Sequence, residues 1–147
     1  MQSKHVLEID NDLSDVEPAV RYLMERCREM GFDERRLRLN FRVGLTEALI
    51  NAILYGNEAD PRRVVRIEVW LDPERATIEV SDQGGGFDPE RLPDPTLPSN
   101  RMRSGGRGIF LIRKLMDEVE FNERGNCIRM VLHSRGATPG RDGELDR

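Results

Sequence analysis

Residues 43–55 read VGLTEALINAILY, a stretch whose only charge is Glu47, with the amide of Asn51 one helical turn later. At 100° per residue, Phe41, Leu45, Ala48, Leu49, Ala52 and Ile53 line up as one broad apolar stripe, while Val43, Ile50 and Leu54 flank Glu47 on the other side. A helix apolar around most of its circumference has to be buried, so the rest of the chain must fold around this segment. A carboxylate is rarely taken into such a place alone, because an uncompensated buried charge is expensive or shifts its pKa to escape ionisation. The i, i+4 spacing sets carboxylate and amide on one face, about 6 Å apart, ready to converge on a bound group. Taken alone, the segment also allows Glu47 a place on a solvated strip.

With 147 residues the chain fits one domain of ordinary size, able to bury about two thirds of its unfolded surface. Charged residues make up 34% with both signs mixed, and the net charge of −4 argues against general binding to nucleic acid or an anionic membrane. The opening MQSKHVLEID lacks the apolar core of a secretory leader, and no apolar run approaches the roughly 18 residues of a membrane helix. The expectation is therefore a cytoplasmic protein. Cys27 and Cys127 have no CxxC spacing, and His5 and His133 lie near opposite ends, so no zinc site is expected. Both cysteines read as small buried or half-buried side chains.

KHVLEID alternates as a first strand over residues 4–10. Ser14 with Glu17 predicts a capping box opening a helix to about Met30, stopped by Gly31. Asp33 is the expected N-cap of the helix carrying Glu47 and Asn51, which Gly56 ends. RRVVRIEVWL and RATIEVSD, joined through Asp72, Pro73 and Glu74, predict a hairpin. Between Phe87 and Ser104 fall four of the eight prolines, and no helical or strand period holds. A helix over about 108–116 and two strands, VEFNE and CIRMVLH, follow, turning at Gly125 and Asn126. Helices and strands in blocks predict an α+β fold, a two-layer sandwich with helices on one face of a mostly antiparallel sheet. Residues 1–134 are expected to form the domain and 135–147 a flexible tail.

Two glycine clusters bear on chemistry. TIEVSD runs into QGGGFD, placing Asp82 where a strand opens into a loop whose glycines let a ligand approach the backbone. A carboxylate accepts hydrogen bonds without donating, which suits the exocyclic amine of adenine and repels the carbonyl of guanine. Asp-x-Gly also shapes ordinary turns, and that alternative stands for Asp82 taken alone. SGGRG directly precedes an apolar helix, where backbone N–H groups and the helix dipole make an anion site and Arg107 is placed to pair with phosphate oxygens; a linker before a helix reads the same way. The chain has no GxxxxGK[ST], no GxGxxG, and neither HRD nor DFG, which sets aside P-loop, dinucleotide-binding and ordinary protein-kinase sites.

Taken in order, Glu47-x-x-x-Asn51, Asp82-x-Gly84-x-Gly86 and Gly106-x-Gly108 resemble the GHKL or Bergerat ATP-binding fold of gyrase, sensor histidine kinases and MutL. Within it the chain is most similar to the small anti-sigma-factor serine/threonine kinases: EALINAILYGN looks like their N-box, SDQGGGFD their first glycine box and GGRGIFLIRKLMDEVEF their second. The resemblance spans about residues 4–134. It implies that Asn51 holds Mg²⁺ bridging the triphosphate of ATP, and that Glu47 acts as base toward the attacking hydroxyl. It further implies that Asp82 binds adenine above a pocket floor kept open by Gly84 and Gly86. Gly106, Arg107 and Gly108 would cradle phosphate, and the proline-rich stretch, with Arg101 and Arg103, would be the ATP lid. The implied partners are a sigma factor and a small anti-anti-sigma (STAS-type) protein that the kinase phosphorylates, and a homodimer is expected.

The sequence departs from that pattern at Tyr55, where histidine is common, at Phe110, where glycine is common, and at Asn126 and Cys127, where threonines are common. Only His5 precedes the N-box, so the phosphoaccepting module of a sensor histidine kinase is not expected. Two further functions remain open on the sequence: an ATP-binding regulator that transfers no phosphate, and a stand-alone ATPase. Arg35, Arg38 and Arg42 fall on one helix side and are expected to be solvated, and Trp70 is expected to pack on the sheet.

Overall fold

The computed structural model describes residues 2–85 and 106–136. Five strands, β1 (Ser3–Asp10), β2 (Val64–Leu71), β3 (Arg75–Ser81), β4 (Glu118–Phe121) and β5 (Cys127–His133), form one sheet in the order β1-β2-β3-β5-β4, antiparallel at every step. Period-two alternation puts Val65, Ile67, Val69, Leu71, Ala76, Ile78, Val80, Ile128, Met130 and Leu132 on one face, all buried. Helix α1 (Val16–Glu29), a helix α2 over residues 34–56 and helix α3 (Gly106–Leu115) cover that face, contributing Leu23, Phe41, Leu45, Leu49, Ile53 and Ile112 to the core. The expected two-layer α+β sandwich is thus the observed one.

The sheet's opposite face carries Lys4, Arg66, Glu68, Trp70, Glu79 and Arg129, placed there by the same alternation. Trp70 packs on this face, half-buried beneath Lys4, whose Nζ lies 5.2 Å from the ring centroid. Asp72 closes the β2–β3 turn, its Oδ1 accepting from Glu74 N at 2.7 Å and Arg75 N at 2.9 Å.

Helix α2 is continuous but changes its winding: Glu34–Arg36 is α-helical, Leu37–Phe41 a π turn, Arg42–Asn51 α-helical and Ala52–Gly56 a second π turn. The apolar stripe survives these interruptions, and every residue over 43–54 is buried or half-buried. Beyond the helix Glu58 and Ala59 take left-handed backbone conformations, at φ 55° and 56°, as Asn57 N bonds Ala52 O and Ala59 N bonds Ile53 O.

Two helix starts differ from expectation. The Ser14–Glu17 capping box does not form: Asp12 takes the Ser14 amide and hydroxyl, both at 2.9 Å, and caps a short turn at Leu13–Asp15, while Glu17 pairs with Arg21. Asp33 stands before α2 without a side-chain cap bond; its amide donates to Ser134 O instead, tying the helix entry to the end of β5. Cys27 is buried and Cys127 half-buried, as expected. Of the expected lid and tail, residues 86–105 and 137–147 lie outside the described residues, and with them Gly86, Arg101 and Arg103.

The pairing of α2 with α3 positions the site. Asn40 Nδ2 donates to Leu115 O at 2.7 Å, fastening the C-terminal end of α3. A Cβ added at Gly44 would stand 2.5 Å from Met116 Cε, so the two elements approach closely where no side chain intervenes. The N-terminal end of α3 is thereby laid along α2 one to two turns further on, at Glu47 and Asn51.

Candidate active site

Glu47 and Asn51 stand on successive turns of α2, both half-buried, and the second glycine box closes over them. A Cβ built on Gly108 would lie 2.6 Å from Asn51 Nδ2, 3.1 Å from Asn51 Oδ1 and 3.1 Å from Glu47 Oε1. The main chain at the start of α3 therefore meets the carboxylate and the amide together, at a distance only glycine allows. Asn51 Nδ2 is buried with no hydrogen-bond partner among the described residues. A buried orphan amide is expensive unless a ligand answers it. Its donor suits a phosphate oxygen, and the Oδ1 of the same side chain is the hard oxygen ligand that Mg²⁺ takes. The backbone N–H groups of the first turn of α3 add the positive end of a helix dipole. Glu47, Asn51 and Gly108 are thus brought together, with Gly106 and Arg107 in that same first turn.

Asp82 directly follows β3 and is held by its neighbours. Its amide donates to Asn126 O at 2.9 Å, and its Oδ1 accepts from Gly84 N at 2.8 Å. A Cβ on Gly56 would fall 2.1 Å from Asp82 Oδ2, and one on Gly84 would fall 1.7 Å from Gly56 O. Two passes of chain, the end of α2 and the loop after β3, meet here with room for hydrogen atoms alone. At Gly85, by contrast, a Cβ would have nothing within 4 Å. Partial burial raises the pKa of Asp82, opposed by the Gly84 amide and the charge of Arg63. Asp82 Oδ1 thus shapes the turn, one of the two readings the sequence left open, and the carboxylate is a half-buried acceptor beside Gly84.

Sequence reasoning missed the residue that braces this corner. Asn57 is fully buried, at 0% exposure. Its Oδ1 accepts from Gln83 N at 2.7 Å, and its Nδ2 donates to Asn11 Oδ1 at 3.0 Å and to Val64 O at 2.9 Å. Asn11 Nδ2 in turn donates to Ile53 O and Asp60 O, and Gln83 Oε1 accepts from Val64 N. Asn57 is the last residue of the N-box resemblance, EALINAILYGN, but nothing in the sequence gives it a role or marks it as interior.

The departures at 126 and 127 are also placed. Asn126 gives its backbone carbonyl to Asp82, while its side chain bonds Asn122. Cys127 pairs in register with Ser81, and burial pushes its thiol pKa up. Tyr55 and Phe110 are exposed, as are Arg35, Arg38 and Arg42, which form no ion pair among the described residues. The described residues hold no group of three or more His, Cys, Asp or Glu that could bind a metal ion. No helix among them is long and apolar enough to cross a membrane.

The chain is similar over most of its length to known proteins. The pattern of the histidine kinase-like ATPase domain matches residues 9–132. Serine-protein kinase RsbW of Staphylococcus epidermidis is 30% identical over 111 residues, covering 70% of each chain. The protein of that name from Oceanobacillus iheyensis is 29% identical over 111 residues, covering 71% of this chain and 70% of its own. Anti-sigma F factor of Clostridium beijerinckii is 29% identical over 97 residues, covering 64% and 68%.

Proposed function

The chain belongs to the histidine kinase-like ATPase family, and from that membership and its site we propose that it is an ATP-dependent serine/threonine protein kinase and anti-sigma factor. In a partner-switching pathway it would bind a sigma factor and phosphorylate a small STAS-type antagonist of that binding. The observation that carries this reading is the Gly108 backbone lying against both Glu47 and Asn51. A phosphate bound at the start of α3 is then within reach of a base and a metal ligand at once.

The roles follow from the chemistry each group can do. Asp82 accepts the adenine amine, and the Gly56–Asp82–Gly84 meeting leaves a floor on which a flat base can lie. Gly106, Arg107 and Gly108 hold the phosphates by main-chain N–H groups and one guanidinium. Asn51 Oδ1 is the ligand for Mg²⁺, which when bound neutralises phosphate charge. Glu47 accepts the proton of the substrate hydroxyl as that oxygen bonds to the γ-phosphorus, the bond from phosphorus to the β,γ-bridging oxygen breaks, and ADP leaves. Phosphoryl transfer asks the protein mainly for positioning and charge neutralisation, and adjacent turns of one packed helix supply a rigid mount for both.

The same reading assigns residues 1–134 to the kinase domain and 135–147 to an appended tail, with a cytoplasmic homodimer as the working form. The test is to incubate the protein with Mg·ATP and its antagonist and weigh the antagonist by mass spectrometry. A single phosphate on a serine or threonine is expected; nucleotide binding without any transfer would overturn the kinase assignment and leave a regulator.

A further inference from the structure

We infer that Asn57 is a positioning residue for nucleotide-base recognition, acting through Asp82; the inference rests on the proposed adenine role of that carboxylate. Asn57 is the buried polar side chain that joins the helix bearing Glu47 and Asn51 to the loop bearing Asp82. Its Oδ1 takes the amide of Gln83, the residue next to Asp82, at 2.7 Å. Its Nδ2 is divided between Asn11 Oδ1, just past the end of β1, and Val64 O, at the start of β2. Gln83 returns the contact by accepting from Val64 N at 2.8 Å. All three hydrogen bonds of Asn57 have a fixed sense, since Oδ1 can only accept and Nδ2 only donate, so the amide plane has a single orientation.

The consequence falls on the Asp82 carboxylate. Without Asn57 the Gln83 amide loses its partner, and the loop at Asp82 is left, among the described residues, with Asp82 N on Asn126 O, the Gly84 amide on Asp82 Oδ1 and Val64 N on the Gln83 side chain. Asp82 Oδ2 lies where even the Cβ of an alanine at Gly56 could not, and Gly56 directly precedes Asn57. A shift of a few tenths of an ångström at residue 57 is therefore passed to both sides of the carboxylate. Buried polar networks of this kind fix geometry when every member is satisfied and fail when one is removed. Among the described residues Glu47, Asn51 and Gly108 make no hydrogen bond to Asn57; the network meets α2 beyond them, at Ala52 O and Ile53 O.

The experiment compares three ligands by calorimetry in wild type and in Asn57→Ala: Mg·ATP, the Mg complex of purine riboside triphosphate, which lacks the exocyclic amine, and Mg·tripolyphosphate, which lacks the nucleoside. Wild type should bind ATP about ten- to hundredfold more tightly than the amine-less analogue, the usual worth of a hydrogen bond to a charged group. In Asn57→Ala that ratio should fall to within about threefold of unity, with tripolyphosphate affinity changed less than about threefold. If Asn57→Ala does not fold, Asn11→Ala, which removes one acceptor of Nδ2 and keeps Asn57, should reduce the ratio in the same direction. A variant that keeps the full ratio, or loses tripolyphosphate binding in parallel, overturns the inference. A wild type without the ratio overturns the adenine role of Asp82 and the inference with it, and that failure is visible before any variant is made.

Discussion

Gly108→Ala separates folding from function more sharply than any other single change at this site. The new Cβ would stand 2.6 Å from Asn51 Nδ2 and 3.1 Å from both Asn51 Oδ1 and Glu47 Oε1, against roughly 3.5–4.0 Å for an ordinary contact. Relief requires about 1 Å of movement at Asn51. All three atoms are ends of side chains, so the helix can yield by turning Asn51 and Glu47 away without shifting backbone. Alanine also favours a helical position by up to about 1 kcal/mol over glycine, which offsets the crowding. The melting temperature should therefore stay within a few degrees of wild type. Function should not survive so well, because a misplacement of about 1 Å at a catalytic group costs on the order of 10²-fold. Fluorescent-nucleotide binding with Mg²⁺ should weaken, and the rate of phosphate transfer to the antagonist should fall by about 10²-fold or more. A variant as stable as wild type that transfers phosphate within threefold of its rate would refute the claim that Gly108 lies against the reacting groups.

Other outcomes follow from the same structure. Burial raises the folded-state pKa of Asp82 above 3.8, so its ionised form opposes folding at neutral pH, and the penalty vanishes as pH falls through that folded pKa toward 3.8. Asp82→Asn should accordingly melt higher than wild type at pH 7, the gap should close toward pH 4 in calorimetric scans, and adenine nucleotides should bind more weakly. Gly84→Ala drives a Cβ to 1.7 Å from the Gly56 carbonyl, a backbone atom that cannot rotate away, and should cost about 1–3 kcal/mol or more by urea unfolding. Burial pushes the Cys27 thiol up to about 12, and Cys127 is only half-buried, so alkylation of the native protein at pH 8 followed by peptide mapping should label Cys127 first and Cys27 only after denaturation.

What could be read in the sequence was whatever periodicity or glycine spacing encodes. The stripe from Phe41 to Ile53 announced a buried helix, and Phe41, Leu45, Leu49 and Ile53 are all core. Alternation in RRVVRIEVWL and CIRMVLH announced strands that face the helices. Local rules failed where two groups competed for one partner. Ser14 and Glu17 fit a capping box, but Asp12, two residues earlier, reaches the Ser14 amide first. The two π turns of α2 carry no sequence mark, since each spans only five residues of apolar and mixed character. At the site, Glu47, Asn51, Asp82 and Gly108 stood out because three motifs, each ambiguous alone, follow in the order and spacing of the family the chain resembles. Asn57 did not, because its importance lies in hydrogen bonds to Asn11, Val64 and Gln83, which only the fold brings together.

Glu47→Gln addresses the central claim most directly. The substitution keeps the length and shape of the side chain beside Gly108 but cannot accept the hydroxyl proton. Mg·ATP should bind within about twofold of wild type, since Asn51, Asp82 and the α3 turn are untouched, while single-turnover phosphate transfer to the antagonist should drop by about 10²- to 10⁴-fold, the usual contribution of a general base. Transfer at the wild-type rate by Glu47→Gln, with nucleotide affinity intact, would contradict the assignment of Glu47 as the base.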